Sequence, residues 1–211
     1  MLEDYLQATD VRSKILLSTV ELFKRFGFKS VTMDDIARHA GISKKTLYQY
    51  FDNKNKVITA ALDWYKDTLC SHCDRLMADA SDAVEGFVRV KANFDNVFKE
   101  VNPLSIYELQ RFYPEGYRQF RSNMERDVES IRRNLEQGVA EGNYRDDFDP
   151  EILSRFHIES SLMIVMPNML MKDKFDMYRV NHEITEHFMR GILTAKGEKL
   201  YRKYKEQYYK H

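Results

Sequence analysis

Apolar side chains first recur at Ile15, Leu22, Phe23 and Phe26, with Thr19 in the same stripe and Gly27 directly after it. Steps of three and four put these positions on one side of a helix, and a glycine is a frequent place for a helix to stop. A second helix should begin near Met33. Thr32 can cap it, and Asp35, three residues on, can return the bond in an acidic form of the capping box. Ile36 and Ala40 then share a face, and Gly41 stands where a helix commonly ends in a left-handed residue. Ser43 caps a third, short helix, Lys44–Tyr50, in which Leu47 and the following Phe51 share the buried side. Lys44, Lys45, Thr46, Tyr48, Gln49 and Tyr50 are left facing outward. The first stripe would cover the inner faces of the next two helices, giving a small three-helix core.

Helical periodicity continues beyond it. Asn53 to about Ala80 reads as one long helix with Val57, Ala61, Trp64, Leu69, Cys73, Leu76 and Met77 in a broad stripe. Helices are also expected over Asp82–Val101, Leu104–Phe112 and Glu115–Glu141, the last with Tyr117, Phe120, Met124, Val128, Ile131 and Leu135 inward. Gly142-Asn143 ends that helix, and Pro150 opens the next, where its missing N–H costs least. Glu151–Met171 is apolar on most sides, through Leu153, Phe156, Ile158, Leu162, Met163, Ile164, Val165 and Met166, which fits either plain core or a subunit interface; Phe175–Gly191 would lie beside it. No segment shows sustained alternation of apolar and polar residues, so the expectation is an all-α chain of about nine helices.

Two helices joined by a tight glycine turn, the second presenting cations, a hydroxyl, an amide and phenols, suit phosphate positioning and base-edge reading in a DNA groove. The net charge of zero over 211 residues hides a segregation. Val11–Lys56 holds ten Lys and Arg against four Asp and Glu, a net +6, whereas Val57–His211 holds twenty-three against twenty-six, a net −3. Phosphate binding by one end of the chain predicts this distribution. Lys54 and Lys56 fall in the first turn of the long helix, where the dipole prefers acidic residues, which suggests that they serve an external anion.

Gly41, Ser43, Lys44, Thr46-Leu47-Tyr48, Phe51 and Lys54 resemble the recognition segment of TetR-type transcriptional repressors, over about Val11–Ala61. The resemblance implies that Thr32, Lys44, Tyr48, Tyr50 and Lys54 grip phosphates, with Lys45, Thr46 and Gln49 nearest the bases. Lys45 stands where a small residue is frequent and Tyr50 where histidine is, so the base preference does not carry over. The loop EGNYRDDFDPE is similar to a connection common in that family. The expected division is residues 1–56 for DNA binding and 57–211 for effector binding and dimerisation. The expected partners are double-stranded DNA with a palindromic operator, a second copy in a homodimer, and a small-molecule effector, apolar or aromatic. A palindrome favours two-fold dimers, whose recognition helices sit about one DNA turn, roughly 34–36 Å, apart. The aromatic and thioether residues of the middle helices, Trp64, Phe94, Phe98, Tyr107, Phe112, Tyr117, Met163 and Met166, are the candidate effector lining.

Other chemistry is sparse. Cys70-Ser-His-Cys73 is a C-x-x-C that would share a helix face; it lacks the second pair a zinc site needs, but leaves a redox-responsive regulator as an alternative. His182–His187, HEITEH, has the outline of a zinc peptidase helix with its second histidine one place too far, and reads as a solvated face. No nucleophile elbow, glycine-rich phosphate loop or dense acidic cluster is present, so an enzyme is the remote alternative and no cofactor or metal is expected. MLEDYLQATD carries no apolar signal core and no stretch reaches membrane-spanning length, which points to a cytoplasmic protein. The tail 196–211, KGEKLYRKYKEQYYKH, could extend the last helix, cover the interface, fray, or touch nucleic acid.

Overall fold

The computed structural model describes residues 10–100, 102, 104–163 and 177–209, with the side chains of 96–100 and 177 outside the description. These residues form ten helices: α1 Val11–Ser30, α2 Met33–His39, α3 Lys44–Tyr50, α4 Lys54–Ala78, α5 Ala83–Glu100, α6 Ser105–Phe112, α7 Pro114–Ala140, α8 Pro150–Met163, α9 Met177–Ile192 and α10 Ala195–Tyr208. The chain divides into two compact units, Met1–Ser71 with Glu100–Asn123, and His72–Lys99 with Met124–His211.

The first unit is built on α1. Asp10 caps it by accepting from the Ser13 amide at 2.9 Å. Its helical path breaks at Gly27, which takes φ 78° and ψ 172°. That break shifts the helical phase, and it corrects one sequence expectation: Phe26 is turned out, 47% exposed, while Phe28 and Val31 enter the core in its place. The carbonyls freed at the break are not left bare, as buried backbone groups require partners. The Asn102 amide donates to Lys24 O at 2.7 Å, and the Tyr113 hydroxyl donates to Phe28 O at 3.3 Å. Glu108 of α6 accepts from the Lys29 amide at 3.0 Å. Ile15, Leu16, Phe23, Phe28, Ile36, Leu47, Val57, Ile58 and Leu109 form one buried cluster, so α6 supplies a wall to the core of the three N-terminal helices.

The second unit has its own core, with Val84, Phe87 and Val88 of α5, Ile131 and Leu135 of α7, Phe188, Met189 and Ile192 of α9, and Tyr201 and Tyr204 of α10. Asp82 caps α5, accepting from the Glu85 amide at 2.9 Å, while Glu85 accepts from the Ser81 amide at 2.7 Å. The 141–149 connection docks through Tyr144, whose buried hydroxyl donates to Asn134 Oδ1 at 3.1 Å. The Arg145 amide donates to Ile192 O at 2.7 Å and the Thr194 amide to Asn143 O at 3.0 Å, which pins the joint between α9 and α10.

The tail is a helix of its own, capped by Thr194. Its tyrosines point inward: Tyr201 donates to Glu186 at 2.7 Å and Tyr204 to Asp82 at 2.8 Å, and Tyr208 bonds Glu85. Glu186 also takes Lys205 at 2.5 Å, so this part of HEITEH is not the solvated face its composition suggested but the seat of α10. No group of three or more His, Cys, Asp or Glu side chains among the described residues is placed to hold a metal. Neither Cys70 nor Cys73 is in a disulfide. No helix among the described residues is long and apolar enough to cross a membrane.

Candidate nucleic-acid interface

Local sequence fixes the geometry of α2 and α3. At the start of α2 the Asp35 amide donates to Thr32 Oγ1 at 3.2 Å, and the Thr32 amide donates back to Asp35 Oδ2 at 2.9 Å, a complete capping box. The Thr32 hydroxyl also donates to Asp35, at 2.6 Å. These bonds, the hydroxyl's first, hold the exposed Asp35 carboxyl below its ordinary range. At the other end, the Gly41 amide donates to Arg38 O and the Ile42 amide to Ala37 O, at 3.2 and 3.0 Å. This is a Schellman closure, and Gly41 supplies its left-handed residue with φ 66°. Ser43 then accepts from the Thr46 amide at 3.0 Å and starts α3.

Leu47 and Phe51 anchor α3 in the first core. The opposite side carries Lys44, Lys45, Tyr48, Gln49 and Tyr50 exposed, with Thr46 half-buried. The Thr46 hydroxyl lies 2.8 Å from the Ser43 hydroxyl. Lys44 pairs with Asp34 of α2 at 2.7 Å, and this bond raises the lysine's affinity for its proton. The exposed pair ties the two helices across the turn and leaves the ammonium at the surface, where a phosphate can compete for it.

Lys54 is engaged within the protein. Its ammonium donates to Phe28 O at 2.5 Å and lies 5.0 Å from the Tyr113 ring centre and 6.0 Å from that of Phe23. The dipole conflict at the start of α4 is thus met within the protein, by a carbonyl at the end of α1 and two ring faces. Lys56 stays exposed on the next position. Arg12, unremarked in the sequence, lies with its guanidinium 5.7 Å from the Phe51 ring centre. It lines, with Tyr50, Lys56, Trp64 and three aspartates, an open groove of about 500 Å³ beside the end of α3.

The candidate effector residues divide between the two units, with Trp64, Tyr107, Phe112 and Tyr117 in the first and Phe94 and Met163 in the second. Trp64 lines that open groove, and Tyr117 stacks on Phe120 at 6.4 Å beside the first core. Phe112 is 43% exposed, with the Lys29 ammonium 5.1 Å from its ring centre, so it is a surface aromatic and not a cavity lining. Tyr107 and Phe94 are half-buried, one in each unit, and Met163 is exposed at the end of α8. The Phe98 side chain and Met166 lie outside the description, as does the Ile164–Met171 part of the apolar stretch. Aromatic content marked residues that pack, but it could not tell which of several surfaces each packs against.

An all-α chain whose capped α2 and α3 enclose a Schellman turn, with α3 polar outward and apolar inward, defines a helix-turn-helix DNA-binding protein. The model for bacterial regulatory proteins of the tetR family matches residues 15–61, the segment that holds this unit. By that match residues 15–61 are a DNA-binding unit of the tetR type, and the chain is a sequence-specific DNA-binding transcriptional regulator. It is 26% identical to the transcriptional repressor KstR2 of Mycolicibacterium smegmatis over 154 residues, 71% of this chain and 75% of that protein. Among solved structures, the regulatory protein TetR from Rhodobacter sphaeroides shares the fold with a TM-score of 0.72 at 18% identity, over 87% of this chain and 99% of that one. FadR from Bacillus subtilis, solved in complex with stearoyl-CoA, gives 0.66 at 16% identity, over 84% and 97%.

Proposed function

We propose that this regulator is a repressor that binds a palindromic operator as a homodimer and is released when its helical body takes up a small apolar or aromatic molecule. The reading is carried by the outward face of α3. Lys45, Thr46 and Gln49 are assigned to base edges, where an amide or a cation forms paired bonds. Lys44, Tyr48 and Tyr50, with Thr32 at the start of α2, are assigned to phosphates. Lys54 acts one step back, holding the end of α1 against α4. DNA binding is assigned to the chain through Lys56, and dimerisation and effector binding to the remainder, acting in the cytoplasm.

Dimerisation is supported by α8. Ile152, Phe156 and Met163 fall at steps of four and seven and are 66%, 55% and 38% exposed. Such an apolar stripe on a helix that packs beside α9 suits a partner helix. Repression is supported by the similarity to KstR2, and a small-molecule effector by the stearoyl-CoA bound to FadR. The test is selection of operator fragments from genomic DNA, followed by fluorescence anisotropy. Gln49→Ala should weaken the selected site by about 1–3 kcal/mol and relax its base preference, whereas Tyr48→Phe should weaken all sequences alike. Equal affinity for selected and random DNA in the native protein would refute the reading.

A further inference from the structure

The first turn of α2 carries two carboxylates, Asp34 and Asp35, and they are placed differently. Asp35 serves its own helix: it accepts from the Thr32 amide and hydroxyl, and lies 3.5 Å from the Arg38 guanidinium. Asp34 bonds across the turn instead, to the ammonium of Lys44 at the start of α3, at 2.7 Å. Both side chains of this pair stay open to water, 59% exposed for Lys44 and 54% for Asp34. The Thr32 hydroxyl is thus also held by a carboxylate, but Asp35 caps α2 as well and cannot be removed without opening the helix. Asp34 is the one that can be altered alone.

The joint between α2 and α3 does not depend on this pair. The Schellman closure and the Ser43 cap set the turn, and Ile36, Ala37 and Leu47 are buried in the first core. An exposed ion pair adds little to such a joint. What the pair does change is the charge that Lys44 offers. Lys54 is held by a neutral carbonyl and two ring faces, whereas the holder of Lys44 is a full negative charge.

An ammonium bonded to a carboxylate must leave it, or share itself, to reach a phosphate. Sharing is disfavoured, because a phosphate oxygen in contact with Lys44 also comes close to Asp34, and like charges repel. Exchange remains. We propose that Asp34 is an internal competitor of the DNA backbone: it holds Lys44 in the free protein and gives it up when DNA binds, so that operator affinity is set below the level the cations of this face allow. The inference rests on the assignment of Lys44 to a phosphate. Asp34 itself bonds no group of the DNA and acts through Lys44.

The test is a double-mutant cycle on the full-length protein, Asp34→Asn and Lys44→Met singly and together, with affinity for a labelled duplex of the selected operator read by anisotropy at low and at physiological salt. Lys44→Met alone should weaken binding, which checks the assignment. Asp34→Asn should tighten binding by about threefold or more, the scale of an exposed ion pair, and the gain should shrink as salt rises. With Lys44→Met in place, the same substitution should lose most of its effect. Asp34→Ser repeats the measurement with a second neutral side chain, so that a folding defect in one variant does not decide the outcome. Weaker binding by both neutral variants would make Asp34 a residue that positions Lys44, and an equal gain without Lys44 would make it a general repellent of DNA; either overturns the proposal. If Lys44→Met leaves affinity unchanged, the phosphate assignment fails and the proposal with it. If Lys44→Met weakens binding and the Asp34 variants change nothing, the proposal alone fails.

Discussion

Gly27 and Gly41 both turn the chain through positive φ, yet their surroundings differ. A Cβ on Gly27 would sit 2.5 Å from Glu108 Oε2, the atom that accepts from the Lys29 amide, whereas a Cβ on Gly41 would meet nothing within 4 Å. Left-handed backbone alone costs a non-glycine residue about 1–2 kcal/mol. Gly41→Ala should therefore destabilise the protein by about that amount, and Gly27→Ala by more than about 2 kcal/mol, because it also displaces a carboxylate from a backbone amide. Urea denaturation of the two variants decides this, and equal midpoints would contradict it. Lys54 and Lys45 make a second contrast. Lys54→Met removes a charge-assisted bond to Phe28 O and should lower stability by about 1.5–3 kcal/mol. Lys45→Ala alters an exposed side chain and should leave stability within about 0.5 kcal/mol while weakening operator binding. If Lys54→Met changed only DNA affinity, the lysine would belong to the interface after all.

At the scale of elements, the tyrosines of α10 replace what its composition lacks. Tyr201, Tyr204 and Tyr208 repeat at steps of three and four, and each ends on a carboxylate of α9, of α5 or of the turn before α5. Burial alone would raise the Glu186 carboxyl, but bonds from Lys205 and Tyr201 outweigh it and hold it below its ordinary value of 4.5. A depressed carboxyl stabilises the fold above its unfolded value and loses that contribution as pH falls through the folded one. Native stability should thus drop below about pH 4.5, and Tyr201→Phe should lower the plateau at pH 7 while flattening this drop; an unchanged acid limb would exclude the linkage. The aromatic spacing of the tail was visible in the sequence, but its direction was not, because the same tyrosines suit a buried face, a frayed end or a nucleic-acid contact. The caps of α2 and α3 and the start of α8 at Pro150 were legible for the opposite reason: they depend on residues within one turn of each other. Phe26 escaped the periodic reading because one glycine dihedral shifted the helical phase. The buttress of α6 on α1 and the buried Lys91–Asp95 ion pair in α5 involve residues far apart in the chain or charges facing inward, and no local pattern announces either.

For the whole molecule, the segregated charge and the apolar stripe of α8 make separate demands on operator binding. On the proposed palindromic operator, residues Val11–Lys56, with their net +6, should provide salt-sensitive attraction to one half-site, each phosphate contact steepening the dependence on ionic strength. Affinity for a palindrome depends further on joining two such units, since the second half-site is then bound at high effective concentration. Phe156 is the largest of the exposed α8 side chains and has no place in the core of its own protomer. Phe156→Glu should leave the monomer folded, because the position already faces water, and should put two carboxylates into an apolar two-fold contact. Sedimentation at micromolar concentration should then show a monomer, circular dichroism should be unchanged, and operator affinity should fall by about 100-fold or more. The salt dependence should lose about half its slope, because one half-site's phosphates are no longer held. A variant that remains dimeric would move the interface elsewhere, and one that becomes monomeric with full affinity and slope would show that a single α3 suffices for this operator.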